Sequence, residues 1–99
     1  MPKIEEKIEI VEEIEVPSMY RVILHNDNYT SMDFVVMILS DIFHKNQNEA
    51  EAITIMIHEK GKGLCGVYTK EIAKTKVHQV KILARSEGYP LLATIEKDI

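Results

Sequence analysis

The chain has 99 residues and a mass of 11.4 kDa, with one cysteine, no tryptophan, 45% hydrophobic and 28% charged residues. That is the length of one domain with enough apolar content for a modest core. An internal disulfide is excluded, and no apolar run approaches the ~20 residues that span a bilayer. A net charge of −4 and an aromatic content of 6% argue against a nucleic-acid surface, which needs clustered cations and rings for stacking.

The charge sits at one end. Residues 1–16 hold six glutamates against Lys3 and Lys7, so this head carries the whole net charge and the body is neutral. Within the head, Ile4, Ile8 and Val11 fit a helical stripe while Ile8/Ile10 and Ile14/Val16 alternate like a strand, so neither period is strongly specified. Pro17 and Ser18 punctuate the chain. The expectation is a mobile acidic extension over residues 1–17 and one domain over 18–99. No cationic segment followed by an apolar stretch opens the sequence, so the expected location is a reducing cytoplasm.

Residues 19–25 are apolar and rich in β-branched side chains, which predicts a strand. Asn26-Asp27-Asn28 is a cluster of turn formers. Thr30, three residues before Asp33, has the pattern of an N-cap, and Met32, Val35, Val36, Leu39 and Phe43 follow at helical spacing. A second helix starts at Asn46 with Glu49 three residues on, runs through Ile53, Met56, Ile57 and Lys60, and ends at Gly61. Leu64 to Tyr68 reads as a strand. Thr69 is placed to cap a third helix carrying Ile72, Ala73, Val77, Val80, Leu83 and Ala84, closed by Gly88 and Pro90. Leu91 to Ile95 forms the last strand. The order β-α-α-β-α-β predicts an α+β domain: a small three-stranded antiparallel sheet covered by three helices.

Several motifs lose to simpler explanations. Residues 61–66, Gly-Lys-Gly-Leu-Cys-Gly, match a dinucleotide fingerprint by letter. That fingerprint requires a strand before and a helix after, the reverse of the order here. Cys65 lies inside an apolar strand pattern, where a buried structural thiol is expected rather than a nucleophile. No pair among His25, His44, His58 and His78 has i, i+4 spacing, so no metal site is expected. Asn28-Tyr29-Thr30 fits a glycosylation pattern that has no use without a secretory route.

Two features remain: the turn Asn26-Asp27-Asn28, and His58 at the edge of the second helix's apolar stripe. A boundary histidine is the simpler account of His58. The alternative is a ligand site, since Asn, Asp and neutral His together offer several acceptors and one negative charge. That set suits a primary ammonium, which has three donors and no acceptor. Thr30, Met32 and Val35 follow, and can add an apolar wall.

The segments 20–35 (Tyr-Arg-Val-Ile-Leu-His-Asn-Asp-Asn-Tyr-Thr-Ser-Met-Asp-Phe-Val) and 58–69 (His-Glu-Lys-Gly-Lys-Gly-Leu-Cys-Gly-Val-Tyr-Thr) resemble the two signatures of the ClpS family of protease adaptors. Glu71-Ile72-Ala73 with Thr75-Lys76-Val77, and Gly88-Tyr89-Pro90-Leu91-Leu92, follow in the family's order, so the likeness covers about residues 18–96. It implies a bacterial N-end-rule adaptor that performs no chemistry and uses no cofactor. Such an adaptor binds substrates whose first residue is Leu, Phe, Tyr or Trp and delivers them to a ClpA-type AAA+ unfoldase coupled to the ClpP peptidase. A regulator that only modulates the unfoldase's choice of substrate is the alternative. The resemblance implies amine contacts from Asn26, Asp27, Asn28 and His58. It implies a side-chain pocket of Leu24, Thr30, Met32, Val35, Thr54, Ile57 and Leu91. Glu71 and Lys76 match residues that meet the unfoldase N-domain, and the adaptor is expected to be monomeric. Two positions depart from the family pattern: Asn28 stands where a second Asp is usual, and Thr54 where Met is common.

Overall fold

The computed structural model describes residues 16–99, so the acidic head lies almost wholly outside the described residues. Strand β1 spans Met19–His25, helix α1 Met32–Asp41, helix α2 Gln47–Lys60, strand β2 Lys62–Thr69, helix α3 Lys70–Ser86 and strand β3 Leu92–Asp98. The order and composition are those expected from the sequence. The sheet is antiparallel with strand order β2-β1-β3, so the first strand in the chain is the central one. Met19 faces Thr69 on one side and Asp98 on the other, and His25 faces Lys62 and Leu92.

Alternation along the strands separates two faces. Val22, Leu24 and Ala93 point to the helices and are buried with Phe34, Ile38, Leu39, Val80 and Ala84 in one core. Leu64, Val67 and Leu92 are exposed; Leu64 is paired with Ile23 and Val67 with Arg21. Helix α3 packs across all three strands, α2 packs on β2, and α1 packs on α2. The pairing with β1 slips between Val22/Gly66 and Ile23/Leu64, leaving Cys65 as the extra residue of a bulge. The bulge turns Cys65 fully into the core.

The helix ends show where sequence patterns and structure part. Asn46 forms the expected reciprocal cap: its side chain accepts from Glu49 N at 2.8 Å and Glu49 Oε1 accepts from Asn46 N at 3.1 Å. Gly61 ends α2 at φ 93°, a left-handed conformation that glycine adopts without a Cβ penalty. The cap of α1, however, is Ser31 rather than Thr30: Ser31 Oγ accepts from Phe34 N at 3.1 Å. Thr30 is already engaged with Asp27 in the preceding turn. Thr69 stands at the cap position of α3 without a capping bond from its side chain. Strand β2 begins two residues earlier than expected and β3 one later, because β1 offers partners from Lys62 and from Leu92. Helix α1 stops at Asp41, so Phe43 reaches the core from a turn.

The core stripe is also rotated. Phe34, Val35, Ile38 and Leu39 are the buried residues of α1, and Ala50, Thr54 and Ile57 those of α2. Met32, Met56, Ile72 and Leu83, which fit the expected stripes by spacing, are 46%, 50%, 49% and 37% exposed. They sit at stripe margins where a helix offers room for apolar side chains without burying them.

Gly63 marks the contact of β2 with α2. A Cβ built there would lie 2.8 Å from Ile57 Cγ1, so close approach, not phosphate binding, accounts for this glycine. Gly63→Ala should lower stability by about 1–3 kcal/mol through overpacking. In urea denaturation we expect a lower midpoint with an unchanged slope; an unchanged midpoint would show that Ile57 yields at no cost.

Candidate functional site

At the end of β1 the backbone leaves the sheet. Asn26 N donates to Gly61 O at 2.9 Å, tying this exit to the C-terminus of α2. The joint brings the turn 26–30 beside the helix end that carries His58. Asn26, Asn28 and His58 are exposed there.

Asp27 organises the turn. Its Oδ1 accepts from Tyr29 N at 2.8 Å and Thr30 N at 2.7 Å, and its Oδ2 accepts from Thr30 Oγ1 at 2.8 Å. A carboxylate has roughly four acceptor positions, so most are occupied inside the turn. Partial burial pushes the Asp27 carboxyl up, but the bonds from Thr30 N, Tyr29 N and Thr30 Oγ1, together with the Arg85 charge, outweigh it and hold the group below its ordinary value. Asp27 therefore stays ionised and supplies negative charge at the site while its oxygens hold the loop. The C-terminus of α2 adds to this, since the carbonyl end of a helix carries partial negative charge and favours a cation.

The residues expected to line an apolar pocket divide into two layers. Leu24, Val35, Ile57 and Leu91 are 0%, 6%, 3% and 2% exposed and share the main core. Met32 and Thr54 meet across a groove of about 230 Å³ between α1 and α2, completed by Asp33, Val36, Glu51 and Ile55. Thr54 is the one buried polar side chain among the described residues, and its Oγ1 donates to Ala50 O at 2.7 Å. The hydroxyl is thus satisfied one turn back along the helix. Thr30 is half-buried, held by its bond to Asp27.

Glu71 and Lys76 lie on α3. Glu71 is exposed in the first turn. Lys76 is used internally: Nζ donates to Ile42 O at 2.7 Å and lies 5.9 Å from the Phe43 ring and 5.4 Å from the Tyr68 ring. It joins α3 to the turn after α1, with part of its side chain left at the surface. Cys65 is buried, and burial pushes its thiol up to about 12, so it is held as the un-ionised thiol rather than the thiolate that nucleophilic attack requires. Among the described residues no group of three His, Cys, Asp or Glu side chains could hold a metal ion, and no helix is long and apolar enough to cross a membrane.

Sequence reasoning passed over Arg85, whose charge reaches Asp27 and whose Nη1 donates to Tyr89 O at 2.7 Å and Leu91 O at 3.2 Å. Its place in the last turn of a helix is a weak signal, since a cation there is favoured whatever its partner. It also passed over Ile55, Glu51 and Val36 at the groove. Val36 lies four residues after Met32, Glu51 three before Thr54 and Ile55 four after Glu51, a spacing that carries the signal only once α1 and α2 are known to pack together.

The family model for the ATP-dependent Clp protease adaptor protein ClpS matches residues 15–94. A protein of Oleidesulfovibrio alaskensis named ATP-dependent Clp protease adapter protein ClpS is 55% identical over 86 residues, which is 87% of this chain and 83% of the relative. One of the same name from Nitratidesulfovibrio vulgaris is 53% identical over 88 residues, covering 89% of this chain and 88% of the relative. Among solved structures, Agrobacterium tumefaciens ClpS2 bound to L-phenylalaninamide superposes with a TM-score of 0.81 at 30% identity, covering 84% of this chain and 100% of that one.

Asp27 also gives a pH signature. Its carboxyl titrates lower in the folded chain than in the unfolded one, so its contribution to stability is present above the unfolded value and is lost as pH falls through the folded one. The stability gap between the wild type and Asp27→Ala should stay constant from neutral pH to about pH 4 and close only below that. Urea midpoints measured across this range test it; a gap that closes between pH 6 and about pH 5 would contradict it.

Proposed function

Since the chain belongs to the ClpS family of Clp protease adaptor proteins, we propose that it captures proteins by a free α-amine and a bulky apolar first side chain (Leu, Phe, Tyr or Trp). It then delivers them to a ClpA-type AAA+ unfoldase for degradation by the ClpP peptidase. Residues 18–99 serve as the adaptor domain and residues 1–17 as an acidic extension. The adaptor acts as a monomer in the cytoplasm and catalyses no reaction itself.

The observation that carries this reading is the joint between Asn26 N and Gly61 O. It sets exposed Asn26, Asn28 and His58 at the negative end of α2, one helical turn beyond the apolar groove of Met32 and Thr54. An ammonium group is common to all free N-termini, so polar contacts select the class and apolar contacts select the residue. Asn26 and His58 accept from the amine, and Asp27 acts chiefly by its charge, because its oxygens are taken up by the turn. Asn28 keeps an acceptor but not a second charge. Leu24, Val35, Ile57 and Leu91 form the floor of the side-chain pocket, with Thr30, Met32 and Thr54 as its walls. Glu71 meets the unfoldase directly, and Lys76 presents the adjoining turn that it anchors. L-phenylalaninamide, the ligand in the ClpS2 structure, combines a free α-amine with an aromatic side chain, the two features this site is proposed to read.

Calorimetric titration with peptides beginning Leu or Phe, against their N-acetylated forms, tests the reading. Free-amine peptides should bind and acetylated ones should not. Removing a partner of a charge-assisted bond costs ~2–3 kcal/mol, so His58→Ala should weaken binding at least tenfold without changing the melting temperature. Equal affinity of the two proteins would remove His58 from the site.

Thr54 sets a second expectation. Its hydroxyl is turned back to Ala50 O, so a short branched wall faces the groove where Met would extend a flexible thioether. A first residue branched at Cβ should be tolerated better with Thr than with Met. Crowding by one methyl group is worth about 1 kcal/mol, so the Leu-to-Ile affinity ratio should rise about fivefold in Thr54→Met. An unchanged ratio would show that Thr54 does not shape the pocket.

A further inference from the structure

Helix α3 leaves its axis through two bonds, Tyr89 N to Ala84 O at 2.8 Å and Gly88 N to Arg85 O at 3.1 Å, with Gly88 at φ 79°. This is the six-to-one and five-to-two pattern that reverses a chain at a helix end. Only residues 87–91 connect the helix to β3. Within them Pro90 has no N–H to offer, and Leu91 must turn inward to reach 2% exposure. Few backbone donors remain to hold this loop.

Arg85 supplies the missing donors. The two hydrogens of its Nη1 go to Tyr89 O at 2.7 Å and Leu91 O at 3.2 Å, one on each side of Pro90. Bonds from a guanidinium to carbonyls are charge-assisted and directional. The same side chain lines a cleft of about 480 Å³ with Tyr29 and Tyr89, and Tyr89 packs on Phe34 of α1 with ring centroids 4.9 Å apart. On Asp27, burial works against ionisation, and Arg85 is the charged side chain that opposes it alongside the turn's own bonds. One guanidinium therefore holds the loop that delivers Leu91 and borders the cleft that Tyr29 of the turn also lines.

We propose that Arg85 is a positioning residue of the amino-terminal recognition site: its guanidinium clamps the Tyr89–Leu91 loop at the rim of the cleft it shares with Tyr29 and so fixes Leu91 as the floor of the side-chain pocket. This rests on the binding reading above. Lysine keeps the charge but, lacking the planar fork, holds one carbonyl at a time. Methionine fills similar space and holds neither.

The test compares wild type, Arg85→Lys and Arg85→Met with peptides beginning Leu and Phe, each well below its melting temperature. Affinity should fall at least tenfold in Arg85→Met and recover in part in Arg85→Lys. The loss should be at least threefold greater for Phe, whose ring needs the more defined floor. Equal affinities in all three proteins would overturn the proposal. So would a loss identical for both peptides that tracks the fall in melting temperature, which would mark a general structural role. If the wild type fails to distinguish free from acetylated peptides, the binding reading fails, and the role of Arg85 falls with it.

Discussion

Asn26 is the first residue beyond the central strand, and its N–H reaches across 35 positions of sequence to Gly61 O at 2.9 Å. Strand β1 has a partner on each side along its whole length, so its end point cannot drift without breaking two ladders. Gly61 is equally constrained: it closes α2 in a left-handed conformation, and the next residue, Lys62, already pairs with His25. The exit of a strand, the end of a helix and the start of another strand thus meet at one place. Each of the proposed amine-binding side chains is attached within a few residues of that meeting point.

Rigidity and exposure are separated around this joint. Leu24, Ile57 and Leu91 are packed in the core, whereas Asn26, Asn28 and His58 carry their polar ends in solvent. Asp27 lies between these extremes. Its oxygens are committed to Tyr29 and Thr30, so the negative charge is fixed in space before any ligand arrives. A site whose charge and floor are already in position spends little ordering entropy on binding. Lys76 and Arg85 follow the same logic on α3, each holding the backbone of a turn with its cation.

Much of this was legible in the sequence where the signal was local. The cap pair Asn46 and Glu49, the stop at Gly61 and the apolar, β-branched run of β1 each depend on residues a few positions apart, and the structure contains all three. The competition between Thr30 and Ser31 for the cap of α1 was not legible, because it is decided by the bond between Thr30 and Asp27 in the folded turn. Helical spacing alone put Met32 and Met56 on the apolar stripes without telling that they stay half-exposed, since apolar identity does not say which edge of a stripe stays open. The chemistry of Asn26, Asp27 and His58 could be suspected from residue types, but their assembly depends on a contact between distant segments. Family signatures at 20–35 and 58–69 supplied what periodicity could not. Arg85 shows the remaining limit: its hydrogen-bond partners are backbone carbonyls, which leave no pattern in the sequence.

The central claim is that the joint of β1 with α2 reads a free α-amine. The most direct measurement is a map of backbone amide shifts on adding leucinamide, repeated with N-acetyl-leucinamide. The account predicts perturbations concentrated at residues 26–30, 54–61 and 91 with the free amine, and none with the acetylated compound. Identical maps for the two ligands, or perturbations centred on the groove lined by Asp41, His78 and Leu83, would contradict it.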